Sequence, residues 1–335
     1  MKLPVGKLSP ELLESLLSSY RIHDPKVIVG PKVGEDATVI DTGGDSYLVA
    51  KTDPITFATD EIGWYLVCIS GNDIATMGAT PQWLLVTVLL PENKTSESFV
   101  KDIFSQIISA CEHFNITLCG GHTEITYGLD RPIVVGQMLG QVEKDKLVTS
   151  SGAKIGDDVL LTKGIAIEAI SLIAREREDV LLSRGYSQKY VKRSKQYLKD
   201  PGISVLKDAT IACNVGGVHA MHDPTEGGLA TSLHEIARCS KVGMIIWKDQ
   251  INLFPECETL CREFSLDPLG VIASGALIII ADSSQSENII NALIQNSIPC
   301  SKIGQVIEKD LIIKDGFKEY PLPIFEADEI TKIFK

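Results

Sequence analysis

Leucines at 12, 13, 16 and 17 recur at helical spacing behind Ser9 and Pro10. A serine N-cap followed by proline at the first helical position predicts an opening helix there. The period then changes. Residues 37–41 and 46–52 are short β-rich runs flanking Thr42-Gly43-Gly44-Asp45. This predicts a hairpin whose glycines supply positive φ in the turn. Asp36 stands just before the first run and Asp53 just after the second. Opposite ends of antiparallel neighbours lie side by side, so these two carboxylates are expected close in space.

Residues 60–77 read as a helix closed by Gly78. Ile62, Leu66, Ile69, Ile74 and Met77 make it densely apolar, hence largely buried, and Asn72-Asp73 interrupt the run. A strand over 83–90 precedes an amphipathic helix carrying Phe99, Ile103, Ile107, Cys111 and Phe114. Residues 116–119 are expected to form a strand that exits through a Gly120-Gly121 turn, and 132–142 another strand. Residues 150–157 are rich in turn formers and mark a linker. The expected division is therefore 1–150 and 151–335. The second part alternates a strand (159–162), a Gly164 turn, a helix (165–175) and a polar helical excursion (176–199). Strands at 218–221, 243–247, 276–280 and 302–306 then alternate with helices, and 307–335 reads as a surface strand and tail. The fold class is α/β (α+β).

Length agrees with two domains, since single cores seldom grow past roughly 250–300 residues. The 335 residues carry a net charge of −12 and only 6% are aromatic. Nucleic-acid binding is thereby disfavoured, because backbone tracking needs basic patches and base stacking needs rings. An acidic protein that binds an anion must use metal ions, backbone N–H groups or a few placed cations. The apolar runs are too short to span a bilayer, and the first residues lack the apolar core of a signal peptide. With eight scattered cysteines and no Cys-x-x-Cys pair, a cytoplasmic protein with core-packed thiols is expected. Cys257 and Cys261 share a helix face and are expected in the core.

Gly34-Glu35-Asp36, Lys51-Thr52-Asp53 and Gly71-Asn72-Asp73 each end in aspartate within a span of 40 residues. Buried carboxylates are costly unless paired or bound to a cation. Their placement beside apolar segments points to oxygen ligands for Mg²⁺, a metal that commonly accompanies phosphate-bearing substrates. Each motif alone is also explained as a turn, a strand end before proline or a local helix hydrogen bond. Gly120-Gly121-His122-Thr123-Glu124 offers backbone that can approach a phosphate, together with a possible ligand and a carboxylate. A tight strand exit explains it equally well. In His222-Asp223-Pro224-Thr225-Glu226-Gly227-Gly228, Asp223 reads as N-cap and Glu226 as N3 of a capping box. The same helix start could receive an anion, and its two glycines suggest close approach by something else. No P-loop, dinucleotide fingerprint, His-Glu-x-x-His or Gly-x-Ser-x-Gly sequence occurs.

Taken in order, these motifs, with Asn72-Asp-Ile-Ala-Thr-Met-Gly-Ala-Thr-Pro81 and Asp223-Pro-Thr-Glu-Gly-Gly-Leu-Ala-Thr231, resemble the AIR synthase-related superfamily. That superfamily includes hydrogenase-maturation, thiamine-monophosphate kinase and selenophosphate synthetase members, and the two long segments are most similar to the hydrogenase-maturation type. The resemblance implies a two-domain PurM-like fold and a homodimer whose N-terminal mixed sheets form the dimer core. ATP and Mg²⁺ would be its cofactors, and a substrate oxygen would attack the γ-phosphate. It implies Asp36, Asp53 and Asp73 as metal ligands, with His122 and Glu124 as further candidates. Asn72, Lys51, Thr123 and the Gly120-Gly121 backbone would hold the nucleotide, and Asp73 and Asp223 would serve catalysis. The hydrogenase-maturation type uses a terminal cysteine, whereas no cysteine follows Cys300 here. The acceptor is unnamed, and a small-molecule kinase and a non-catalytic nucleotide-binding scaffold remain alternatives. No nucleic acid or membrane partner is implied.

Overall fold

The structure, a computed structural model, describes Leu3 and residues 6–334. Two compact units result, and neither is continuous in sequence. The smaller holds Asp24–Gly30 and Ala37–Leu147; the larger holds the described residues of Met1–His23, Pro31–Asp36 and Val148–Lys335. The later boundary falls at 147/148, but the early segments including Asp36 belong with the C-terminal residues rather than with 37–147.

The smaller unit is built on one sheet, in the order β1-β2-β3-β6-β4-β5. Its strands are β1 (Val27–Val29), β2 (Thr38–Ile40), β3 (Ser46–Ile55), β4 (Thr80–Pro91), β5 (Thr117–Thr126) and β6 (Ile133–Glu143). The β2/β3 hairpin forms as expected, with Thr38 opposite Ala50. Helix Ile62–Thr76 packs on β3, β6 and β4. It is buried almost throughout, including Asn72 and Asp73, as its all-round apolar sequence requires. Helix Glu97–Phe114 packs against it through Ile103, Ile107, Ala110 and Cys111, capped at Ser96 by a hydrogen bond from the Phe99 N–H.

Residues 120 and 121 make no turn. Strand β5 continues through them, parallel to β4, with a register shift that leaves Cys119 unmatched between Leu118 and Gly120. A Cβ at Gly121 would lie 1.8 Å from the Val86 carbonyl oxygen, so the neighbouring strand itself demands glycine here. A bulge of this kind bends an edge strand without ending it.

The larger unit has a seven-stranded sheet, ordered β13-β12-β9-β11-β7-β10-β8. These are β7 (Asp158–Thr162), β8 (Val218–His222), β9 (Gly243–Trp247), β10 (Ile278–Ala281), β11 (Cys300–Ile307), β12 (Leu311–Asp315) and β13 (Lys318–Pro321). All neighbours are antiparallel except β9 and β12. Val159, Leu161, Ile246, Ile278 and Ile280 meet Leu229, Leu233 and Ile236 of helix Gly228–Ser240 in one core. The 176–199 excursion is helical but not wholly exposed: Leu181, Val191, Tyr197 and Leu198 are buried. Nor is the end of the chain a surface tail, since Asp328, Glu329, Ile330 and Ile333 are buried. Cys257 and Cys261 lie in the core with their sulfurs 3.9 Å apart.

Candidate functional site

Lys51 and Asp53 sit two residues apart in β3, so their side chains leave the same face of the sheet. The helix packed on β3 brings Asp73 to them. Lys51 Nζ lies 3.3 Å from Asp53 Oδ2 and 3.3 Å from Asp73 Oδ2, and the Asp73 side chain is only 5% exposed. Asn72, one residue back, is fully buried. Two carboxylates beside one ammonium form a hard-oxygen set of the kind that suits Mg²⁺. Lys51 supplies a positive charge to a phosphate and, in this structure, balances the two aspartates. Asp53 lies within β3 instead of after it, paired with Gly136 of β6.

His122, Thr123 and Glu124 are placed elsewhere on this sheet. The register runs from Asp53 to Gly136, then Val86, then Gly121. Three strand spacings amount to about 14 Å. His122 and Glu124 are exposed and pair with each other, Nε2 to Oε2 at 3.3 Å. Within one chain they therefore form a group separate from Lys51, Asp53 and Asp73.

Asp36 falls in the larger unit, beside His222. His222 ends β8 and is buried, its Nδ1 2.9 Å from Asp36 Oδ2 and its Nε2 2.7 Å from Glu235 Oε2. Both ring nitrogens face a carboxylate oxygen, an arrangement that favours the imidazolium. Burial alone favours the neutral ring, but Asp36 and Glu235 outweigh it and hold the pKa well above the ordinary histidine value. Glu35 secures the same segment by accepting the Ser150 N–H at 3.2 Å. Asp36, His222 and Asp223 can each turn a ligand atom to within 4.8 Å of the others. All three are buried. They form a place in which a cation could be held.

The expected capping box at Asp223 is not formed. Residues 223–227 make a loop, and the helix begins at Gly228 behind Gly227 in the left-handed region (φ 85°). Gly227 N–H donates to Asp328 Oδ2 at 2.6 Å. The same carboxylate accepts from Ile272 N–H and Ile330 N–H at 3.2 and 2.7 Å through Oδ1. A carboxylate from the end of the chain thus occupies the helix start where an anion was one reading. The paired glycines do accommodate close approach, but by the chain itself: a Cβ on Gly228 would sit 2.6 Å from the Val271 carbonyl oxygen.

Sequence reasoning gave no role to His222, Glu235, Glu168 or Asp328. A signal for two of them was present. Glu168 interrupts the apolar run Ile165-Ala-Ile-Glu-Ala-Ile170, and Glu235 stands between Leu233 and Ile236. Asp328 carried none, because its partners are backbone groups 56 and 101 residues away.

Residues 34–142 match the family model described as AIR synthase related protein, N-terminal domain, and residues 154–315 match the corresponding C-terminal domain. The chain belongs to the AIR synthase-related family. It is similar to the putative hydrogenase expression/formation protein MJ0676 of Methanocaldococcus jannaschii, at 26% identity over 90% of this chain and 87% of that one. It is also 29% identical to the selenide, water dikinase of Dechloromonas aromatica, over 80% and 74% of the two chains. Among solved structures, the HypE–HypF complex aligns with a TM-score of 0.76 at 18% identity, covering 94% of this chain and 99% of that one. HypE in complex with ATP aligns at 0.73 and 20% identity, covering 97% of each. The fold is the two-domain PurM-like one, with a mixed sheet and helices in each unit. Among the described residues no helix is long and apolar enough to cross a membrane.

Proposed function

We propose that this protein is an ATP- and Mg²⁺-dependent enzyme that activates a carbonyl or carboxamide oxygen of a small-molecule or protein acceptor. The acceptor oxygen would bond to the γ-phosphorus while the bridging bond to the β-phosphate breaks and ADP leaves. The observation that carries this reading is Lys51 held between Asp53 and Asp73. Mg²⁺ supplies charge neutralisation of the phosphates when bound, and Asp53 and Asp73 are the residues to hold it. Lys51 would add a fixed positive charge, and Asn72 a buried amide. Phosphoryl transfer asks mainly for positioning and electrostatics, which this donor set can give. Asp36 as a further metal ligand and Asp223 as a catalytic residue belong to the same proposal.

The relatives support the reading by kind: one is a dikinase by name, and a HypE structure holds ATP. A role in hydrogenase or other metal-cofactor maturation follows from the similarity to MJ0676. A homodimer belongs to this proposal. Its support is edge strand β5, which leaves backbone groups open to pairing, and the exposed Ile125 and Tyr127 at its end.

Isothermal titration with a non-hydrolysable ATP analogue, with and without Mg²⁺, tests it. Metal-dependent binding near one nucleotide per chain is expected, and no binding in either condition would sink the proposal. Product analysis by phosphorus NMR then separates a kinase, which leaves a phosphorylated acceptor, from ATP-driven dehydration, which leaves free phosphate.

A further inference from the structure

Lys154 and Asp157, in the turn before β7, meet His219 of β8, which lies 65 and 62 residues away in sequence. His219 is the unmatched residue of a bulge in this edge strand: Ala220 faces Ile280 of β10 and Val218 faces Ala281. A bulge re-aims a side chain and is common beside reactive groups. The segment leading to Lys154 lies against it. A Cβ on Gly152 would sit 1.9 Å from the His219 carbonyl oxygen, so glycine is what lets the two backbones meet.

The polar contacts form a chain. Lys154 Nζ lies 3.1 Å from His219 Nε2, and His219 Nδ1 lies 2.9 Å from Asp157 Oδ2. An ammonium has only donors, so Nε2 accepts, and Nδ1 carries the ring proton towards Asp157. A general base needs this tautomer, with a lone pair on the nucleophile and a carboxylate behind the ring. Asp157 is 5% exposed and is itself fixed, since its Oδ2 also accepts the Lys154 backbone N–H at 2.8 Å. Lys154 is exposed while His219 is half-buried, which leaves the amine open to solution and its base sheltered. Asp282 is the other carboxylate nearby. Hydrogen bonds from Ser284 chiefly hold its pKa low, with a smaller contribution from His219 and Lys154. A lysine kept only for charge pairs directly with a carboxylate, as Lys302 does with Asp158 at 2.7 Å. Here an imidazole is interposed.

We propose that Lys154 is a site of self-acylation by a small acyl phosphate, with His219 as general base and Asp157 as positioning residue. His219 Nε2 takes one proton from the ammonium, and Asp157 balances the resulting imidazolium. The freed amine attacks the carbonyl carbon. The C–N bond forms, and the bond from that carbon to the phosphate oxygen breaks. Phosphate leaves with the electron pair and takes up the second surplus amine proton, and His219 returns its own proton to solvent. The products are an amide on Lys154 and inorganic phosphate. None of these groups is an acid placed behind a leaving group, so the donor must be one whose leaving group departs unassisted, as phosphate does.

The test incubates the full-length protein with acetyl phosphate at pH 8 and follows each lysine by peptide mass spectrometry. Exposed Lys101 and Lys146, ion-paired to Glu97 and Glu143, are internal references. Lys154 is expected to react at least about tenfold faster than either. His219→Gln should bring Lys154 down to the reference rate and leave the references unchanged. General loosening of the structure would raise all three rates, so it cannot mimic a loss at Lys154 alone. Equal rates in the wild type, or an undiminished Lys154 rate in His219→Gln, would each overturn the proposal. Should His219→Gln not fold, Asp282→Asn serves in its place. Removing a carboxylate that holds the ammonium should raise the Lys154 rate against unchanged references, and the absence of a rise would overturn the proposal.

Discussion

Asp73 is a buried carboxylate whose interaction with Lys51 also ties helix Ile62–Thr76 to β3. Truncating one member of such a buried pair costs more than the pair contributes. Replacing the charge while keeping the shape isolates function: Asp73→Asn is expected to lower Mg²⁺-dependent ATP turnover by about a hundredfold or more. Its urea midpoint should move far less than that of Asp73→Ala. Turnover retained in Asp73→Asn would remove this residue from the reaction. Thiol reactivity is likewise decided residue by residue. Burial pushes Cys111, Cys213 and Cys239 up to about 11 and Cys300 to about 12, which keeps their thiols protonated. Cys119, on the β5 bulge, is exposed. Brief iodoacetamide treatment of the native protein followed by peptide mapping should find Cys119 modified first. Modification of Cys111 or Cys213 ahead of it would contradict the described packing.

At the scale of elements, the start of helix Gly228–Ser240 depends on a residue about 100 positions later. Asp328 accepts three backbone N–H groups, from Gly227, Ile272 and Ile330. Asp328→Asn keeps one oxygen and presents an NH₂ to donors already in place, so the urea midpoint should fall by the equivalent of about 1–3 kcal/mol. A midpoint within error of wild type would show that the chain end does not clamp the loop. Amphipathic spacing made the helix at 97–114 legible, and a dense apolar run closed by Gly78 the one at 62–76. Legibility failed where a glycine pair served another strand instead of a turn. Gly120-Gly121 reads locally as an exit, and only the neighbouring Val86 carbonyl shows why the strand continues.

The pH dependence of stability belongs to the whole molecule. Glu168 is raised to about 8 and Asp328 to about 6, both chiefly by burial, and His222 is held well above its ordinary value by its two carboxylates. Each is a group that the folded state protonates more readily than the unfolded chain. The carboxyls contribute stability fully below their unfolded pKa, near 4.3 for Glu and 3.9 for Asp. That contribution is lost as pH rises through the folded values. His222 acts in the same direction above about 6.5. The melting temperature is therefore expected to fall between about pH 5 and 8, and to fall less steeply in Glu168→Gln. A wild-type profile that rises over this range would contradict the described burial of these acids.

Sequence alone determined the class of fold and most helices and strands. Those follow from periodicity, turn chemistry and motif order, all local along the chain. Tertiary structure decided which carboxylates meet. Asp36 joins His222 and Glu235, while Lys51 gathers Asp53 with Asp73. His122 and Glu124 lie three strands from that group. Spacing in sequence carries no term for strand order, and so could not separate acids that share a motif from acids that share a site.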